Sequence, residues 1–233
     1  MEELLIKRIQ IDWNRVGKDS YVCKIPSVNR LQKLCLESAV TFFVGENGSG
    51  KSTLLEAVAT SYGFNPEGGT LNYSFSTYDE ASPLADSITL VKGMRRAKVG
   101  YFFRAETFFN VATASVRDYR GSDYHKRSHG EGSLDFIEEF DGEGLYLLDE
   151  PEAALSVNGQ LSLMRHVYKA AQQGAQFIIA THSPILTGLP GARILSFSDA
   201  GIFPCEYEDT QCYRETKLFI EHREQILKAL LED

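Results

Sequence analysis

Ala39-Val-Thr-Phe-Phe-Val44 runs straight into Gly45-Glu-Asn-Gly-Ser-Gly-Lys51-Ser52, and then into Thr53-Leu-Leu-Glu-Ala-Val-Ala-Thr60. The first block is β-branched and aromatic with no polar alternation, which predicts a strand buried on both faces. The second fits G-x-x-x-x-G-K-[ST], and the third continues as a helix over residues 51–62. Strand, glycine-rich turn and helix form the context in which that pattern binds phosphate. The glycines permit a turn whose main-chain N–H groups converge on oxyanions, and the helix N-terminus adds a partial positive charge. The candidate phosphate-binding residues are therefore Gly45, Glu46, Asn47, Gly48, Ser49, Gly50, Lys51, Ser52 and Thr53. Lys51 is suited to the β and γ phosphates of a nucleotide, and the Ser52 hydroxyl to a Mg2+ ion.

A second apolar run, Leu145-Tyr-Leu-Leu148, ends in Asp149-Glu150. A buried strand would deliver both carboxylates at its C-terminal end, beside the phosphate loop. Asp149 is the candidate holder of Mg2+ through its water shell. Glu150 is the candidate catalytic residue that orients an attacking water, because phosphoryl transfer needs positioning and charge stabilisation more than covalent chemistry. A third strand, Phe177 to Ala180, ends at Thr181-His182-Ser183-Pro184. His182 is a candidate contact to the γ-phosphate.

The remainder of the chain alternates strands with helices, which predicts an α/β fold with a largely parallel sheet. Val99–Phe103 and Ala192–Ser196 read as strands. Residues 105–119 and 156–173 read as helices. Leu4 to Trp13 and Ser20 to Ile25 alternate apolar and polar residues and are expected to pair antiparallel. Residues 63–86 and 121–133 are rich in small and polar residues and read as loops, and Arg214 to Leu231 reads as one amphipathic terminal helix.

At 233 residues and 43% hydrophobic, the chain is long enough for a sizeable core. No apolar run approaches the roughly 20 residues that span a bilayer, and Met1-Glu2-Glu3 opens no secretory signal, so a cytoplasmic protein without membrane insertion is expected. Cys23, Cys35, Cys205 and Cys212 lack the spacing of a disulfide framework or a metal knuckle. The net charge of −8 argues against general attraction to nucleic acid. Two basic clusters, Lys92/Arg95/Arg96/Lys98 and Arg117/Arg120/His125/Lys126/Arg127, leave a local DNA contact open, although clusters of this size are normally solvated faces.

The ordered motifs from Ala39 to Pro184 resemble the ABC-type ATPase family of P-loop NTPases, and within it the branch that includes the RecF, SMC and OLD-like ATPases. Gly45 to Ser52 resembles its Walker A, and Leu145 to Glu150 its Walker B with the catalytic glutamate. Pro151 to Ser156 resembles its D-loop in the DEPE form, and Thr181 to Pro184 its switch-histidine segment. Arg127-Ser128-His129-Gly130-Glu131 aligns with the signature, departing from it at Arg127 and His129. The resemblance implies one domain, residues 1–233, with N-terminal antiparallel strands in 1–38 and a nucleotide-binding core in 39–62 and 141–200. A helical signature lobe is implied in 100–140 and a C-terminal helix in 214–233. It further implies ATP and Mg2+ as ligands and an ATP-dependent head-to-tail homodimer, in which Ser128 and Gly130 of one copy reach the γ-phosphate held by the other.

The family's metal-contacting glutamine is missing: the corresponding stretch reads Val99-Gly-Tyr-Phe-Phe-Arg104-Ala-Glu106, so Arg104 or Glu106 stands in its place. Tyr21 and Trp13 are the candidates for stacking on adenine. The expected function is ATP hydrolysis driving a dimer switch for an unidentified effector protein. The alternatives are an ATP-binding subunit of a transporter and the ATPase of a DNA repair or defence system. Long coiled-coil arms are excluded by the absence of heptads between the two Walker motifs.

Overall fold

A computed structural model describes residues 3–71, 82–105, 140 and 142–231. The expected mostly parallel sheet is present. Its strands are β3 (Val40–Gly45), β4 (Gly69–Thr70), β6 (Val99–Arg104), β7 (Gly144–Asp149), β8 (Gln176–Ala180), β9 (Arg193–Ser198) and β10 (Gly201–Cys205), in the spatial order β10-β9-β3-β8-β7-β6-β4. The pairings from β9 through β6 are parallel, while β10 and β4 close the two edges antiparallel.

The continuous apolar runs divide by strand parity between two cores. Phe43, Leu145, Leu147, Ile178 and Ala180 face helix α2 (Lys51–Tyr62), which contributes Leu54, Leu55 and Val58. Phe42, Val44, Tyr146, Leu148, Phe177 and Ile179 face helix α3 (Val157–Gln172), which contributes Leu163 and Val167. Covering both faces is what permits strands without polar alternation. Each helix begins and ends for a local reason. The Ser156 hydroxyl accepts from the Gly159 N–H at the start of α3, and Gly63, in the left-handed region at φ 119°, closes α2 by donating to the carbonyls of Ala59 and Thr60.

The N-terminal antiparallel portion exists with different partners. Strand β1 (Ile6–Ile11) pairs with β2 (Lys33–Cys35) and with β5 (Ile88–Lys92), not with residues 20–25. Tyr21–Lys24 is a 3-10 turn capped by the Ser20 hydroxyl, and Pro26 then opens the short helix α1 (Pro26–Asn29). Proline at a helix start removes no needed hydrogen bond, and there it ends any extended run. The small sheet thus recruits β5 from beyond the expected 1–38. The strand expected over Val99–Phe103 is present as β6 (Val99–Arg104), and its pairing with β7 makes it part of the main sheet, so the start of the implied 100–140 lobe belongs to the core.

The terminal helix is two helices, α4 (Gln211–Glu221) and α5 (Arg223–Leu231), separated at His222, whose backbone leaves helical geometry. Thr210 caps α4, which begins at Gln211, three residues before the expected start at Arg214. Neither helix buries a residue, and Leu218, Leu230 and Leu231 are exposed. Among the described residues no helix is long and apolar enough to cross a membrane.

Candidate active site

The strand register sets the site. Gly45 ends β3, Asp149 ends β7, and Ala180 ends β8 beside Asp149, so the loops that follow emerge together at the carboxyl edge of the sheet. Three glycines shape the first loop: Gly45, Gly48 and Gly50 have φ of 142°, 77° and 95°. A Cβ at Gly45 would collide with the Phe197 carbonyl oxygen, and one at Gly50 would lie 2.7 Å from side-chain carbons of both Ile25 and Val28. The loop is therefore wedged between β9 and α1, and the Ser27 hydroxyl donates to the Ser49 carbonyl across that contact.

Lys51, only 4% exposed, folds back so that Nζ donates at 2.9 Å to the carbonyls of both Gly45 and Glu46. Burial pushes its pKa below the usual lysine value, against the pull of the Glu150, Asp149 and Glu152 carboxylates. One residue on, Ser52 Oγ donates at 2.8 Å to Asp149 Oδ1. Thr53 is partly buried on the same helix, while Glu46, Asn47 and Gly48 are exposed at the loop tip.

Glu150 holds φ 50° and ψ 51°, the one non-glycine with positive φ among the described residues. Its N–H is bonded to the Ala180 carbonyl at 2.9 Å, which lets Pro151 begin a tight turn immediately. The left-handed kink swings the Glu150 side chain out of the sheet edge, where it is 45% exposed with Oε1 3.7 Å from His182 Nε2. The His182 main-chain N–H donates at 2.7 Å to Glu152 Oε1, tying the turn after β7 to the end of β8. Burial first, then Lys51, lowers the His182 pKa, with Glu150 and Glu152 opposing, which favours the neutral ring. Its Nε2 is buried and makes no hydrogen bond, leaving a polar atom ready for a ligand.

A cavity of about 340 Å3 lies between Gly45–Asn47, Thr181–His182 and the first turn of α4, where Gln211 Nε2 donates to Glu46 Oε1 at 3.1 Å. A second, of about 360 Å3, follows the other side of the loop past Ser27 and Asp199. The arrangement collects main-chain donors, a lysine, a hydroxyl–carboxylate pair, a second carboxylate and a histidine on one edge. These are the groups needed to hold a polyphosphate and a hard cation.

A family model described as ABC transporter matches residues 29–162. The chain belongs to this family. It is an ABC-type P-loop ATPase, and ATP is its nucleotide. The hemin import ATP-binding protein HmuV of Rhodopseudomonas palustris is 25% identical over 202 residues, covering 75% of each chain. The macrolide export ATP-binding/permease protein MacB of Campylobacter jejuni is 23% identical over 190 residues, or 68% of this chain, which spans only 28% of that larger protein. Among solved structures, the SMC head domain from Thermotoga maritima is similar with a TM-score of 0.46 and 14% identity, covering 87% of this chain and all of that one.

The site of this ABC-type ATPase brings Gly45 to Ser52, Asp149, Glu150 and His182 together. Ser128, Gly130 and Glu106 lie outside the described residues. Of the two aromatic candidates, Trp13 packs on the core and donates Nε1 to the Leu31 carbonyl at 2.7 Å, a structural role, while Tyr21 is 52% exposed. Sequence reasoning passed over Glu152 as an anchor and the ion pair of Arg104 with Glu56. The only sequence signal for the latter was the position of Glu56, one turn after Ser52 on α2.

Proposed function

We propose that the chain is an ATP-driven dimer switch: two copies close head-to-tail around ATP and Mg2+, hydrolysis reopens them, and an effector protein uses the motion. The observation that carries this reading is the Ser52–Asp149 hydrogen bond, which brings the two Walker motifs together with Glu150 as the next residue. Lys51 exchanges its two loop carbonyls for the β and γ phosphates. Ser52 and Asp149 would hold Mg2+, which would supply charge neutralisation at the phosphates. Glu150 orients the attacking water, and His182 Nε2 contacts the γ-phosphate. Mg2+ fits this pair because both partners offer hard oxygens.

Dimerisation is supported by the openness of the site. Glu150 and His182 are 45% and 37% exposed, so a γ-phosphate between them is covered from one side by this chain. Ser128 and Gly130 of a second copy, supplying a hydroxyl and a main-chain N–H, would cover the other side, and nucleotide state then becomes dimer state. Residues 1–233 act as a single domain in this reading, in the cytoplasm.

A second reading, the ATP-binding subunit of a transporter, is favoured by the matched family model and by the names of the two curated relatives. The residue at the expected glutamine position weighs against it, since Arg104 makes an internal ion pair there. Steady-state ATP hydrolysis tests the shared core of both readings. Glu150→Gln should lower turnover by at least about 100-fold while ATP binding persists. Unchanged turnover in this variant would remove Glu150 from the mechanism.

A further inference from the structure

Ser52 and Glu56 stand one turn apart on one face of α2. Arg104 closes β6 directly opposite Asp149, which closes β7. The Arg104 guanidinium lies between two carboxylates and treats them unequally. Its Nη1 donates at 2.7 Å to Glu56 Oε2 and at 3.2 Å to the Pro66 carbonyl, whereas its Nε stays 4.0 Å from Asp149 Oδ2. The three side chains are between 11% and 19% exposed, so these charges are less screened than at an open surface. The other oxygen of Asp149 is taken by the Ser52 hydroxyl. A resident cation therefore stands beside the carboxylate assigned to Mg2+, just outside hydrogen-bonding range. Arginine and carboxylate close to roughly 2.8 Å when nothing prevents it.

We infer that Glu56 is a positioning residue that keeps Arg104 off Asp149 and so reserves that carboxylate for the divalent cation. The inference rests on the proposed metal role of Asp149. Glu56 acts in two ways. Its carboxylate accepts from Nη1, which also donates to the Pro66 carbonyl, and so holds that end of the guanidinium on the α2 side. Its negative charge also offsets the positive charge that would otherwise oppose Mg2+ at Asp149. Glu56→Gln keeps the shape, removes the charge and draws the guanidinium toward Asp149. Removing Arg104 as well removes the competitor, so the double variant should recover what the single variant loses.

The test compares wild type, Glu56→Gln, Arg104→Gln and the double variant by the Mg2+ dependence of binding a fluorescent non-hydrolysable ATP analogue, and by the Mg2+ dependence of ATP hydrolysis. Glu56→Gln should raise the half-saturating Mg2+ concentration about 10-fold in both assays, a defect overcome by excess Mg2+. The double variant should return to within about threefold of wild type, a non-additivity expected of groups in one network. Two results would overturn the inference: an unchanged Mg2+ requirement in Glu56→Gln, even with lowered thermal stability, or a double variant worse than either single one. Wild-type analogue binding and hydrolysis indifferent to Mg2+ would overturn the assigned metal role of Ser52 and Asp149, and this inference with it.

Discussion

Ser52 Oγ and Asp149 Oδ1 are joined by a 2.8 Å hydrogen bond between residues 97 positions apart in the chain. The bond links the first turn of α2 to the end of β7, and in the proposed mechanism both partners turn to the metal. Ser52→Ala should therefore cost little in folding, about 1 kcal/mol for one partly buried hydrogen bond. It should cost far more in Mg2+-dependent turnover. Chemical denaturation and a Mg2+ titration of ATPase rate separate the two effects. A variant impaired equally in both would make this contact structural.

Glu150 is held in the left-handed region at φ 50°, a conformation that costs a residue with a side chain roughly 1 to 2 kcal/mol. Glycine adopts it freely. Glu150→Gly should leave the melting temperature equal to wild type or higher while abolishing turnover, the pattern of a site that trades stability for function. A clear loss of stability would mean that the side chain itself supports the fold.

Glu152 predicts a pH dependence. Burial raises its pKa above the ordinary 4.5, outweighing the hydrogen bond from the His182 N–H. The folded state then binds a proton more tightly than the unfolded state, so this group's contribution is fully present below pH 4.5 and is lost as pH rises through its folded pKa. Glu152→Gln keeps an acceptor for the His182 N–H and should flatten that part of the stability curve above pH 4.5. Equal pH slopes for wild type and variant in denaturation experiments would refute it. His182 acts oppositely below pH 6.5, because its depressed pKa makes protonation unfavourable in the folded state, so Glu152→Gln is best compared with Glu152→Gln/His182→Gln.

The parts of the fold that were legible in sequence are those where one local rule dominates. Residues 39–44 and 145–148 read as buried strands because neither alternates apolar with polar residues and Thr41, the hydroxyl residue of the first, is β-branched, and α2 is delimited at both ends by glycines. The misread parts depend on distant partners. Residues 20–25 alternate like a strand, but a serine cap and Pro26 turn them into a 3-10 turn and a short helix. Strand β5 is half-exposed, and only its pairing with β1 gives it its place. Gln176 lay unnoticed inside a strand, yet its side-chain amide exchanges two hydrogen bonds with the main chain of Ile6 and pins the small sheet to the large one. In the site, motif spacing singled out the Gly45–Thr53 loop, Asp149, Glu150 and His182, which lie together in the fold, but the Glu152–His182 and Arg104–Glu56 contacts join different elements and follow from strand register.

The most direct test of the account is the mass in solution of Glu150→Gln with and without Mg-ATP. A shift from monomer to dimer that requires ATP, and that Ser128→Arg abolishes, is the predicted result and would tie the second copy's signature serine to the site. A variant that binds ATP tightly and stays monomeric would contradict the head-to-tail dimer.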